Sequence, residues 1–142
     1  MGKINWGRLI LCGLLTGGVC MAVTAPVFLL ALRETEYMQA MRAARLAAQP
    51  RFEPLLLATP LNLLAGIWIM WLYAAIRPRY GPGPKTAAVA GFAGWFAVAI
   101  IEVQLVVFFL LPISLGGLAV PLGVALPATI VAAMVGAWQY QE

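Results

Sequence analysis

The chemistry this chain can offer centres on one carboxyl. Glu102 is the sole charged residue inside the long apolar stretches of the sequence. A charge at the middle of a bilayer costs at least about 2.5–3.5 kcal/mol unless it meets a partner or water. At a helical rise of 1.5 Å per residue, Glu102 lies roughly 22 Å from the end of its stretch that shares a side with both termini. The same count places Asn62 at about 21 Å and Thr24 at about 24 Å in two other stretches, so three polar groups share one depth. Gln104 is two residues away and rotated by about 200°, so it points elsewhere. Two roles fit. Either a protonated Glu102 hydrogen-bonds to Asn62 or Thr24 and fixes the register of a bundle, or it exchanges a proton or binds a cation.

Other chemistries find little support. The sequence contains no His and no Asp. It therefore lacks the commonest metal ligand, the usual general base and the usual axial ligand of haem. Ser114 is the sole serine, and no nucleophile–base pair can be assembled, so an enzyme is not expected and neither metal nor cofactor is assigned. Cys12 and Cys20 are eight residues apart in one apolar stretch. That spacing is about 12 Å along a helix, too far for a disulfide. They read as small apolar fillers.

The elements that hold these residues follow from composition. Hydrophobic residues make up 63% of the chain and charged residues 10%, against about 45–50% and 25% in soluble domains. Lipid is the solvent that accommodates such a surface. Four stretches are long enough to span a bilayer: about 8–32, 55–76, 87–113 and 117–138. The fold expected is all-α, a four-helix membrane bundle in a single domain over 1–142. The first stretch starts with Lys3 and Arg8 and carries Val23-Thr24-Ala25, which resembles a signal-peptide cleavage site. The apolar run continues to Leu32 and Pro26 directly follows the cut, so it reads as an uncleaved anchor.

Small residues mark packing faces. Gly13 and Gly17 form a Gly-x-x-x-Gly pair in the first span, and Ala128, Ala132 and Gly136 form a second stripe in the fourth. Either can serve one chain or two. Pro26, Pro60, Pro121 and Pro127 interrupt helical hydrogen bonds, and in lipid the freed carbonyls need neighbours. A compact bundle is the expected outcome.

The loops differ in character. Between the first two spans, 35–49 is rich in Ala, Met, Arg and Gln, with Thr35 to cap a short helix and Pro50 to end it. Met38, Met41 and Arg45 share a stripe on it, so it can lie on the membrane or dock a partner. Between the second and third, Arg77-Pro-Arg-Tyr-Gly-Pro-Gly-Pro-Lys-Thr86 makes a stiff turn. Its Arg77, Arg79 and Lys85 suit anionic lipid headgroups. The phosphate-loop spacing is absent. Lys3, Arg8, Arg77, Arg79 and Lys85 fall on one side, against Arg33, Arg42, Arg45 and Arg51 on the other. The positive-inside rule puts the first side, with both termini, in the cytoplasm. Trp6, Trp71, Tyr73, Tyr80, Trp138 and Tyr140 are expected to form an interfacial belt there. No basic stripe runs along a helix, so nucleic acid is not a partner.

Residues 68–86, Trp-Ile-Met-Trp-Leu-Tyr-Ala-Ala-Ile-Arg-Pro-Arg-Tyr-Gly-Pro-Gly-Pro-Lys-Thr, are similar to a stretch in a family of small uncharacterised four-span bacterial membrane proteins. The Ile4-Asn5-Trp6-Gly7-Arg8 opening and the Gly136-Ala137-Trp138 end resemble the same family. Its members carry a Gly-Glu-Phe type segment in the first span, where this chain has Cys20-Met21-Ala22-Val23. The resemblance implies a four-span bundle in the bacterial inner membrane and assigns no activity.

Two functions are consistent with these features. One is a non-catalytic accessory or structural subunit of a larger inner-membrane complex, in contact with lipids and other membrane subunits. The other is a small oligomeric transporter that uses Glu102 to couple a proton or cation. In its four spans and single membrane carboxylate the chain resembles the small multidrug transporters, which place that residue in the first span.

Overall fold

A computed structural model describes residues 5–32, 34–47, 54–108 and 113–140. The fold is all-α. Helix α1 covers Trp6–Pro26 and continues into a π-helical turn, Val27–Ala31. Helix α2 is Glu36–Ala47, α3 is Pro54–Tyr80, α4 is Pro84–Phe108 and α5 is Leu115–Gln139. Helices α1, α3, α4 and α5 each contain a segment long and apolar enough to cross a membrane. The short extra helix α2 stands between the first two spans, as the sequence predicts.

Local chemistry sets the ends. The Asn5 side chain accepts from the Arg8 N–H at 3.2 Å and starts α1, and Ser114 Oγ accepts from the Gly117 N–H at 2.9 Å and starts α5. Both are side-chain N-caps. Pro54 and Pro84 open α3 and α4, positions where the missing N–H costs nothing. Pro26 cannot donate to the turn before it. The helix relaxes there into the wider π turn, closed by the Leu32 N–H on the Val27 carbonyl at 3.0 Å.

Two boundaries depart from expectation. The loop predicted to start at Arg77 is helical as far as Tyr80. The Gly81 N–H donates to the Arg77 carbonyl at 2.8 Å, and the reversal is confined to 81–83, where Gly81 and Gly83 have φ of 82° and 142°. Only glycine adopts these values without strain. Thr35 was expected to cap α2. Its hydroxyl instead donates back to the Leu32 carbonyl at 2.7 Å, which ties the connector to the end of the π turn. The helix stop expected at Gln49 and Pro50 lies outside the described residues, as do Lys3, Arg33, Arg51 and Glu53.

The four spans form a ring in which α1 packs on α3 and α5, and α4 packs on α3 and α5. The tightest crossing is α1 on α3. A Cβ on Gly13 would meet the Ile67 backbone, one on Gly17 the Asn62 carbonyl at 2.6 Å, and one on Gly66 the backbone of Gly13 and Gly17. On α5, Gly136 faces Thr16 and the Met70 sulfur, and Ala128 and Ala132 are buried. Both small-residue faces named from sequence are therefore occupied within the chain.

Burial is uneven along the bundle axis. The core cluster comprises Leu9 and Cys12 of α1, Ile69, Met70, Tyr73 and Ala74 of α3, Ala87 and Ala90 of α4, and Ala133 and Tyr140. All of these belong to the end that carries the Gly81–Gly83 turn. The opposite end, beneath α2, holds a cavity.

A candidate intramembrane binding cavity

The cavity measures about 180 Å³ and all four spans contribute to its wall. Each helix contributes through one face. Thr16, Cys20, Thr24 and Phe28 lie at successive intervals of four on α1 and its π turn. Asn62, Gly66 and Ile69 line it from α3, Trp95, Val98 and Glu102 from α4, and Ala125, Thr129 and Ala132 from α5. Spacings of three and four keep such residues on one side of a helix. Glu102, Asn62 and Thr24, placed at one depth by counting, thus share one cavity. Gln104 is exposed and not on it.

The polar lining is specific in its hydrogens. Thr16 donates to the Cys12 carbonyl at 2.9 Å, Thr24 to the Cys20 carbonyl at 2.8 Å and Thr129 to the Ala125 carbonyl at 2.8 Å. Thr24 therefore has no hydrogen left for the cavity, and its oxygen can act there only as an acceptor. The Trp95 indole N–H donates across to the Leu122 carbonyl of α5 at 2.9 Å. Cys20 Sγ lies 3.9 Å from Thr129 Oγ1. Both cysteines are free.

Helix α2 packs against the cavity wall. Its Tyr37 ring meets Phe28 edge-on at 6.4 Å between centroids. Burial, and behind it the charge of Glu102, push the Tyr37 phenol above its ordinary range. Beside it, Glu36 Oε1 accepts the Ser114 N–H and Glu36 Oε2 accepts the Ser114 hydroxyl, each at 2.6 Å. These two bonds hold the Glu36 carboxyl below the usual carboxylate range.

The basic turn divides. The Arg77 guanidinium lies 5.6 Å from the centroid of the Tyr140 ring and is half-buried, whereas Arg79 and Lys85 are exposed. Of the three residues expected to meet headgroups, Arg77 is thus the one turned to a ring of the bundle. The expected aromatic belt is also split. Trp6, Trp71, Tyr80 and Trp138 are exposed, but Tyr73 and Tyr140 are buried and meet edge-on at 6.1 Å. Residues that the sequence reading missed include Thr16, Thr129 and Trp95. The interval of four through Thr16, Cys20, Thr24 and Phe28 was the available signal for the first.

Fold and cavity together define a four-span helical membrane protein with a largely apolar cavity, carrying a few polar groups, inside its own bundle. Among the described residues, no group of three or more His, Cys, Asp or Glu is placed to hold a metal. No family model, curated protein or solved structure matches the chain.

Proposed function

We propose that this protein is a small carrier that takes a small cation into the cavity, with Glu102 as the coupling carboxylate. The observation that carries this reading is a carboxyl in the wall of a cavity that all four spans line, set apart from the buried core cluster near the turn. An intramembrane carboxyl in such a wall suits the binding and release of an ion. The walls come from a single chain, so binding does not require a second copy.

The accessory-subunit reading draws on small size and on α2 as a docking surface. Glu36 and Tyr37 of that helix are engaged with Ser114 and Phe28, which favours a role over the cavity. We place the turn end in the cytoplasm of a bacterial inner membrane, from the charge bias and the exposed Arg79 and Lys85.

Proton-coupled cation flux in liposomes, with Glu102→Gln as control, tests the carrier. Uptake that disappears in the variant supports it. A gentle-detergent pull-down that returns a fixed stoichiometric partner set, combined with no flux from the purified chain, makes the accessory role the better reading.

A further inference from the structure

We infer that the cavity selects a small protonated amine, a cation that carries N–H donors, over quaternary ammonium ions and over anions. The inference rests on the carrier reading above and names the class of its ligand. A hydroxyl has one hydrogen and two acceptor lone pairs. Thr16, Thr24 and Thr129 have each given that hydrogen to the carbonyl four residues earlier on their own helix. What they present to the cavity is lone pairs. The Trp95 N–H is likewise directed at Leu122. Because the Thr129 hydrogen goes to Ala125, the contact between Cys20 and Thr129 is an S–H donated to oxygen. The threonine, indole and thiol hydrogens are thus all turned into the protein. These acceptors belong to residues of the cavity wall, which also includes Glu102.

An anion would meet lone pairs and a carboxyl, and is excluded. A quaternary ammonium satisfies the charge but gives the hydroxyl oxygens no hydrogen, leaving acceptors desolvated and unpaired. An ammonium ion satisfies both. The aromatic rings of Phe28 and Trp95 in the wall suit the same charge. Size sets the upper bound. A cavity of roughly 150 Å³ holds benzene, with its six heavy atoms, so this one, at about 180 Å³, accepts an amine of up to about seven heavy atoms.

The test is calorimetric titration of the purified full chain in detergent at pH 7 with n-butylammonium, tetramethylammonium and n-butanol. The expected result is saturable binding of n-butylammonium, with tetramethylammonium at least about tenfold weaker and n-butanol weaker still. Thr129→Val, which keeps shape and removes the acceptor, is expected to weaken n-butylammonium several-fold and leave tetramethylammonium unchanged. Equal or tighter binding of tetramethylammonium overturns the inference while leaving a cation carrier standing. Absence of binding by both cations to protein of unaltered thermal stability overturns the inference and the carrier reading together. The ligand series on the unaltered chain decides the matter even where a variant fails to fold.

Discussion

Both carboxylate oxygens of Glu36 are occupied by Ser114, one by its N–H and one by its hydroxyl, each at 2.6 Å. Glu36 opens α2 and Ser114 caps α5, so this pair fastens the connector to the start of the last span. The negative charge also lies at the positive end of the α5 dipole. Gly117 permits the approach, since a Cβ there would stand 2.7 Å from Glu36 Oε2. A carboxyl whose value is lowered on folding stabilises fully above its unfolded value. That contribution is lost as pH falls through the lowered one. The latch therefore holds at neutral pH and fails well into the acid range. The Ser114 amide proton, followed by NMR in micelles, is expected to titrate with a midpoint below that of an exposed, unpaired glutamate. Glu36→Gln should abolish that titration. A Ser114 amide that does not respond between neutral pH and pH 2 sinks the latch.

The α1–α3 crossing has no room for a methyl group. Gly66→Ala would drive a Cβ into the backbone of Gly13 and Gly17, and backbone cannot swing aside as a side chain can. A loss of about 1–3 kcal/mol is expected, as for overpacked cores. Gly18 is the matched control, one residue beyond this face with open space around its Cβ position. Gly18→Ala is expected to leave stability unchanged or raise it by up to about 1 kcal/mol, from helix propensity. Thermal unfolding of both variants in one detergent gives the comparison. Equal effects would mean that the crossing is looser than described.

How far the sequence reaches is visible in these same residues. Gly13 and Gly17 announce a close approach by their spacing, but their partner Gly66 stands alone in α3 without a motif. A helix face is encoded twice, once on each partner, and here only one copy is conspicuous. Glu102, Asn62 and Thr24 could be set at one depth because helical rise is fixed. Azimuth is harder: the spans are apolar all round, and in lipid the outward face is as greasy as the inward one. That is why Tyr73 and Tyr140 were expected at the interface and are instead buried. The Glu36–Ser114 latch joins residues 78 apart, and no local pattern reports such a pairing.

The divided basic turn predicts divided effects. Arg77 is half-buried beside the Tyr140 ring, and an interaction of this kind contributes about 0.5–2 kcal/mol. Arg77→Ala should lower thermal stability by that order. Arg79→Ala and Lys85→Ala, both exposed, should change it by no more than about 0.5 kcal/mol. Headgroup affinity should follow the opposite order. Native mass spectrometry of protein released from mixed micelles is expected to show fewer retained anionic lipids for the Arg79→Ala, Lys85→Ala pair than for Arg77→Ala. If Arg77→Ala sheds more lipid than the pair does, the guanidinium serves lipid before Tyr140.

Orientation yields to a labelling experiment because the two ends carry exposed residues of their own. Lys85 lies at the turn end and Arg42 on α2 at the other, and both side chains are exposed. The native thiols are free, Cys12 buried and Cys20 half-buried, and both can be replaced with Ala to clear the background. Five Lys or Arg residues fall on the turn side against four opposite, and the excess side is retained in the cytoplasm. A membrane-impermeant maleimide added to intact spheroplasts is therefore expected to modify Arg42→Cys and to leave Lys85→Cys untouched until the membrane is permeabilised. The reverse pattern would invert the topology. The cavity end of the bundle would then face the cytoplasm, and a carrier of this design would load its amine from inside the cell. Labelling of both positions in intact spheroplasts would mean that the population inserts in two orientations, as the narrow charge difference allows, and an antiparallel pair would become the unit to study.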